Sequence, residues 1–224
     1  LKIYAHRGAS SDFPEMSRAA YMAAIDQGAD GFECDLRLTR DGVIVAWHDR
    51  DLKRLVGSQR EIARSTYSEL MSIHPLLTLD EIVDIAIAHK KDLALETKHP
   101  VPTRGAVELA IAHCLQTRKA EIAESGIEID LMSFSPTAVV RARARGIATV
   151  FLSTHWLPLR LTRLSSQGPS IALLRKYPGL KRTDQKIFVW TVDTAEDALL
   201  CQRSGVDVLI TNKPGFIRQV LQNG

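Results

Sequence analysis

The chain has 224 residues, 45% of them hydrophobic and 25% charged, with a formal net charge of +3. That composition excludes a disordered or fibrous chain, and the length suits one folded domain, read here as residues 1–224. No apolar run reaches the ~20 residues of a membrane-spanning helix, so stable membrane insertion is not expected. The basic residues between Arg160 and Lys186 lack interleaved aromatics, which argues against a nucleic-acid surface. Cys34, Cys114 and Cys201 fit neither a disulfide framework nor a zinc site and read as small buried residues. No charged-then-apolar leader precedes the first strand, so a cytoplasmic protein is expected.

Short strand-like runs then alternate with longer helix-like ones. Ile3 to His6 reads as the first strand, ending at Gly8, and Ser17 as the cap of a helix through Ile25 that stops near Gly28. Asp30 to Leu36 reads as the second strand. The Asp41-Gly42 turn sends the chain back along it from Val43 to Trp47. From about 50 to 75 the pattern loosens, with Ser65 or Thr66 placed to start a short helix. This stretch is predicted to be a small inserted lid rather than a separate domain. Thr78 can cap a helix carrying Leu79, Ile82, Val83 and Ile85. Strands are predicted at Leu93–Lys98, Ile129–Phe134, Thr149–Ser153, Ile171–Leu174, Ile187–Val192 and Val206–Thr211. Helices are predicted at Thr103–Thr117, Pro136–Arg145 and Thr194–Arg203, and from Pro214. The segment from Trp156 to Pro169 has no readable pattern. Eight main strands alternating with helices predict an α/β fold, a (β/α)₈ TIM barrel with a short inserted lid after the second strand. The runner-up, an open doubly wound sheet, lacks a glycine-rich phosphate loop after its first strand.

His6, Glu33, Asp35, His48, Glu96, Lys98, Ser133 and Trp190 all fall at the C-terminal ends of predicted strands, where barrel enzymes build their chemistry. Glu33 and Asp35 are two apart and so share a strand face. Their repulsion calls for a positive charge between them, and with Glu96 they form an all-oxygen set suited to Mg²⁺ or Ca²⁺ rather than zinc. The competing reading is a structural network with Arg7, Arg37 or Lys98. His6 and His48 can serve as general acid and base on a phosphate ester, in either assignment. Arg7 and Lys98 can hold the phosphate. Trp190, and more weakly Phe134, can wall off an alcohol portion or simply pack. Of the other histidines, only His155 is a further pocket candidate.

In order along the chain, His6-Arg7-Gly8, Pro14-Glu15-Met16-Ser17, Glu33-x-Asp35, His48-Asp49 and Glu96-Thr97-Lys98 resemble the motifs of the glycerophosphodiester phosphodiesterase family. Val189 to Asp193 and Gly205 to Asn212 resemble its last two strands, so the likeness spans essentially the whole chain. The resemblance implies a TIM barrel and metal-dependent cleavage of a small-molecule glycerophosphodiester. The products would be glycerol 3-phosphate and an alcohol such as choline or ethanolamine. It implies Glu33, Asp35 and Glu96 as metal ligands and leaves Glu15 as a ligand, a neighbour of one, or a residue acting only near a helix start. The nucleophile is either water or the adjacent glycerol hydroxyl, the latter through a cyclic phosphate. Met16 departs from the family's asparagine, Asp193 stands where asparagine is common and Asn212 where aspartate is common. None is expected to touch the metal, the histidines or the phosphate grip, so these departures bear on alcohol specificity. A lysophospholipase D-like enzyme would need an apolar lid, and residues 51–72 show no sustained apolar face. A non-catalytic barrel binding phosphorylated ligands would be favoured by a lost histidine or carboxylate, and none is lost.

Overall fold

The structure, a computed structural model, describes residues 1–161, 166–180 and 185–223. The strands are β1 (Lys2–His6), β2 (Gly31–Leu38), β3 (Ile44–Ala46), β4 (Asp92–Thr97), β5 (Ile129–Ser133), β6 (Ala148–Ser153), β7 (Ser166–Pro169), β8 (Phe188–Val189) and β9 (Val208–Thr211). Eight of them run parallel in the order β7-β6-β5-β4-β2-β1-β9-β8. Bridges from Gln167 to Ile187 and from Ser170 to Trp190 bring the two ends together. The result is the expected (β/α)₈ barrel, nearly closed. β3 folds back antiparallel on the end of β2, pairing Ala46 with Leu36 and Ile44 with Leu38, as the Asp41-Gly42 turn predicts.

Strands covered on both faces read as nearly continuous apolar runs. Outward-facing Phe32, Cys34, Leu93 and Leu95 join a core with Ile82 and Val83 of the helix Leu79–His89 and Ile111 of the helix Ala106–Thr117. Inward-facing Tyr4, Ala94, Met132, Phe188 and Ile210 fill the barrel itself. This interior layer fixes what stands above it. The strand period is two, so the next residues on the same face are His6, Glu96, Phe134, Trp190 and Asn212. Gly31 allows the close fit at the floor, since a Cβ there would lie 2.7 Å from both the Asp92 carbonyl oxygen and the Tyr4 ring. At the top, Gly8 has φ +81 and turns the chain against Ala20, where a Cβ would come within 2.6 Å of backbone.

The helix starts follow their capping chemistry. Thr66 and Thr78 each form a capping box, with Glu69 and Glu81 respectively. The expected seventh strand is in the wrong place. Ile171–Lys176 is a helix, capped by the Ser170 side chain accepting from the Leu173 amide, and the strand is Ser166–Pro169. Leu173 and Leu174 supply the buried face of that helix. The true strand carries little apolar signal, because Gly168 packs where a Cβ would lie 2.5 Å from Leu152. Residues 162–165 and 181–184 of the basic stretch lie outside the described residues.

The insertion between β3 and β4 buries Leu52, Ile62, Leu70 and Leu76 against Val45 and Trp47. It therefore rests on the β3 hairpin through a small core of its own. All three cysteines are buried and free. Among the described residues, no helix is long and apolar enough to cross a membrane.

At the barrel floor, Lys2 Nζ and Tyr4 OH donate to the Asp92 carboxylate at 2.7 and 2.9 Å. Asp130 is buried nearby, and that burial lifts its carboxyl to about 6. An unfolded aspartate titrates near ~3.9. Between those values the folded state binds more protons, so this group's contribution to stability is lost as pH rises through the window. Asp130→Asn is expected to stabilise the protein by about 1–3 kcal/mol at pH 8. The advantage should vanish below pH ~4. Denaturant unfolding at the two pH values checks it.

Candidate active site

Strand register assembles the top of the barrel. His6 lies beside Glu33, and Asp35 beside Glu96. Oxygens of Glu33, Asp35 and Glu96 all lie within 4.8 Å of one another, and all three residues are buried. Arg7 Nε sits 2.8 Å from Asp35 Oδ2, while Lys98 Nζ lies 2.6 Å from Asp35 Oδ1 and 2.6 Å from Glu96 Oε1. Burial pushes the Asp35 pKa up, but Lys98 and Arg7 outweigh it and hold the carboxyl below its ordinary value. Glu96 is raised, by burial and then by the Asp35 charge.

Glu33 is the exception. Among the described residues no lysine or arginine lies within ion-pair distance, and its nearest cationic candidate is His6 Nε2 at 3.7 Å. Neither of its buried oxygens accepts a hydrogen bond, and the Asp35 contacts, though short, also lack hydrogen-bond alignment. Burial, then the charges of Asp35 and Glu96, drive Glu33 well above the usual carboxylate range. Two cations thus face three carboxylates. The structural-network reading accounts for Asp35 and Glu96 but leaves Glu33 over. Buried, unsatisfied, all-oxygen donors fit a hard divalent cation.

The two histidines are each oriented through Nδ1. His6 Nδ1 lies 2.7 Å from Asn212 Oδ1. The Asn212 amide nitrogen donates to Asp193 Oδ2 at 2.6 Å, which fixes the amide with its oxygen toward His6. That oxygen only accepts, so the proton sits on Nδ1 and His6 Nε2 keeps a free lone pair. His48 Nδ1 similarly donates to Asp49 Oδ1 at 2.8 Å. Burial lowers the pKa of both rings, helped at His6 by the Arg7 charge.

Asp193 and Asn212 therefore stand behind His6, which corrects the expectation that they touch no histidine. The aspartate and asparagine have changed places relative to the family pattern, and the two side chains bond each other, so an acceptor for His6 remains. Met16 is a buried core residue whose backbone N–H donates to the Arg7 carbonyl at 2.8 Å.

Three contributors escaped the sequence reading as site residues. Arg37 donates twice to the His48 carbonyl, at 3.0 and 2.6 Å. Asp49 orients His48. Arg54, from the insertion helix Lys53–Val56, pairs with Asp49 at 2.6 Å and with Glu15. Glu15 in turn meets Arg7 Nη1 at 3.2 Å, so it pairs with guanidinium groups rather than completing the carboxylate triad. Trp190 Nε1 donates to the Gly168 carbonyl at 2.8 Å and meets Phe134 edge-on, with ring centroids 5.3 Å apart. Among the described residues His155 bonds only its neighbour Thr154 through the side chain, and Ser133 Oγ is spent on the Thr97 carbonyl.

Arg54 ties the insertion to both Asp49 and Glu15. Arg54 is 45% exposed, so such a pair is worth about 0–1 kcal/mol, and Arg54→Ala is expected to lower kcat/KM by no more than about fivefold. Steady-state kinetics alongside a melting curve would distinguish this from unfolding.

A parallel barrel with two oriented histidines and a carboxylate triad at its C-terminal mouth has the make-up of a barrel enzyme using acid–base chemistry beside a cation. Residues 6–216 match the Glycerophosphoryl diester phosphodiesterase family, and the chain belongs to that family. It is 33% identical to a probable glycerophosphodiester phosphodiesterase 1 of Mycobacterium tuberculosis, covering 99% of this chain and 93% of that protein. It is 27% identical to a glycerophosphodiester phosphodiesterase of Caldanaerobacter subterraneus, covering 99% and 98%. A solved Oleispira antarctica phosphodiesterase superposes with a TM-score of 0.86 at 22% identity, over 99% of this chain and 97% of that one. The Thermotoga maritima glycerophosphodiester phosphodiesterase gives 0.81 at 24% identity, over 98% of each chain. These two structures share the fold.

Proposed function

We propose that this protein hydrolyses glycerophosphodiesters to glycerol 3-phosphate and a free alcohol. In this reading Glu33, Asp35 and Glu96 hold a divalent cation, Mg²⁺ or Ca²⁺, and His6 and His48 move the protons. The observation that carries it is Glu33, a buried carboxylate beside His6 with neither oxygen hydrogen-bonded among the described residues. The family supports the reaction type, and the Oleispira phosphodiesterase was solved in complex with the product sn-glycerol-3-phosphate.

When bound, the cation supplies positive charge against the phosphate oxygens as a Lewis acid. Arg7 and Lys98 donate to the non-bridging oxygens as their charge grows. One imidazole takes the proton of the attacking hydroxyl while the other protonates the departing alkoxide. With water as nucleophile, one P–O bond forms and the bond to the alcohol breaks. With the adjacent glycerol hydroxyl, a cyclic phosphate forms first and water then opens it, giving the same net reaction.

The lysophospholipase D-like alternative requires an apolar surface on the insertion. Leu52, Ile62, Leu70 and Leu76 are buried in its own core, while Leu55, Met71 and Ile73 of the same insertion are exposed. Product analysis tests the proposal, using glycerophosphocholine, glycerophosphoethanolamine and glycerophosphoglycerol with Mg²⁺ or Ca²⁺. The expected phosphate product is glycerol 3-phosphate from all three. Cleavage of lysophosphatidylcholine alone would favour the lipid enzyme, and no cleavage of any would favour a binding protein.

A further inference from the structure

A cavity of about 230 Å³ opens beside the carboxylate triad, between the insertion and the loop after β4. Its wall includes four cations, Arg37, Arg50, Arg64 and Lys98, and a single acid, Glu61. It shares two of these residues with the site. Lys98 contacts Asp35 and Glu96, and Arg37 holds the His48 carbonyl. The cavity and the triad thus adjoin at Lys98 and Arg37, the side from which one arm of a diester held on the triad would enter it. The volume is below the ~300–1,000 Å³ of drug-sized sites, which suits a small polar arm rather than an acyl chain.

The charge of the wall is poorly balanced. Glu61 is shared between Arg50 at 2.7 Å and Arg64 at 3.1 Å, and both arginines stand at the exposed outer edge. Arg50 also reaches Asp51, at 3.6 Å. Lys98 is shared between two acids. Arg37 lies deeper; burial lowers its pKa, and although Asp35, Asp49, Glu96 and Asp51 act on it from farther off, no carboxylate is within ion-pair distance among the described residues. Its hydrogen bonds are the two to a neutral carbonyl, which leaves further guanidinium donors for a ligand. A partly buried guanidinium with no counter-ion in direct contact carries a desolvation cost, and an arriving anion in contact relieves it. Guanidinium matches phosphate oxygens in pairs, and a quaternary ammonium placed here would meet like charge on several sides.

We propose that this cavity is the subsite for the alcohol arm of the diester and selects an arm bearing a second phosphate over one bearing a quaternary ammonium. The proposal rests on the triad being the phosphodiester site.

The test compares kcat/KM at fixed ionic strength for three substrates. These are glycerophosphoglycerol carrying a terminal phosphate, glycerophosphoglycerol itself, and glycerophosphocholine. Each is measured on the wild type and on the Arg50→Ser/Arg64→Ser variant. The wild type is expected to favour the terminally phosphorylated substrate over the neutral one by about tenfold, with choline poorest, and added salt should narrow the gap. In the variant that preference should fall, with Arg37 and Lys98 still in place, and it is read as a ratio whatever the variant's absolute rate on the neutral substrate. Because the readout is a ratio within one protein, loss of folded enzyme does not mimic it. Equal turnover of all three substrates, or a preference the variant retains in full, would overturn the subsite while leaving the proposed reaction intact. Failure to cleave any of them would overturn the reaction itself and the subsite with it.

Discussion

Replacing His6 or His48 by alanine is expected to slow turnover about 10²–10⁴-fold, the usual worth of a positioned acid or base. Both rings have Nδ1 committed, His6 to Asn212 and His48 to Asp49, which leaves Nε2 of each for proton exchange. Neither ring is a major packing element, so melting temperatures should change little. Asn212→Ala makes a useful companion. It leaves His6 in place but removes the acceptor that sets its tautomer, so its loss should be smaller than that of His6→Ala. A full-sized loss in Asn212→Ala with an intact melting curve would mean that the orientation of His6 carries nearly all of its effect. No loss in either histidine variant would remove them from the chemistry.

Glu33→Gln is expected to have opposite effects on stability and activity. Glu33 is buried, lacks a lysine or arginine partner, and is pushed up by burial and by two neighbouring carboxylates. Removing its charge should stabilise the protein by about 1–3 kcal/mol in chelator, since it relieves a buried and poorly compensated carboxylate. The wild type should recover that deficit when a divalent cation is added, gaining ~2.7 kcal/mol at a hundredfold excess over Kd. The variant should gain little and should lose most of its activity. Denaturant titrations with chelator and with Mg²⁺ or Ca²⁺ read all of this. A wild type indifferent to both cations would support the purely structural network of Arg7, Lys98 and the acids.

The parts of the site legible in the sequence are those that strand geometry alone specifies. His6, Glu33, Asp35, Glu96 and Lys98 could be placed because a period of two puts them on one face, at strand ends. The hairpin and the helix starts at Ser17, at Ser65 or Thr66 (Thr66 in the structure) and at Thr78 were legible for an equally local reason, their turn and capping chemistry. What was missed is non-local. His6 and Asn212 are 206 residues apart in sequence, and Arg54 and Glu15 are 39 apart, so no local pattern pairs them. Asp193 and Asn212 looked like two separate departures, because only their contact shows that each compensates the other. β7 was misplaced because Ser166–Pro169 is held by backbone pairing and a glycine contact. The apolar run just after it forms a helix.

The central claim is that a divalent cation on Glu33, Asp35 and Glu96 enables phosphodiester cleavage. Its most direct test is glycerol 3-phosphate release from glycerophosphoglycerol by metal-stripped protein, before and after cation is restored. The expected result is no release in chelator, recovery with Mg²⁺ or Ca²⁺, and no recovery in Glu33→Gln. Undiminished release in chelator would contradict the claim.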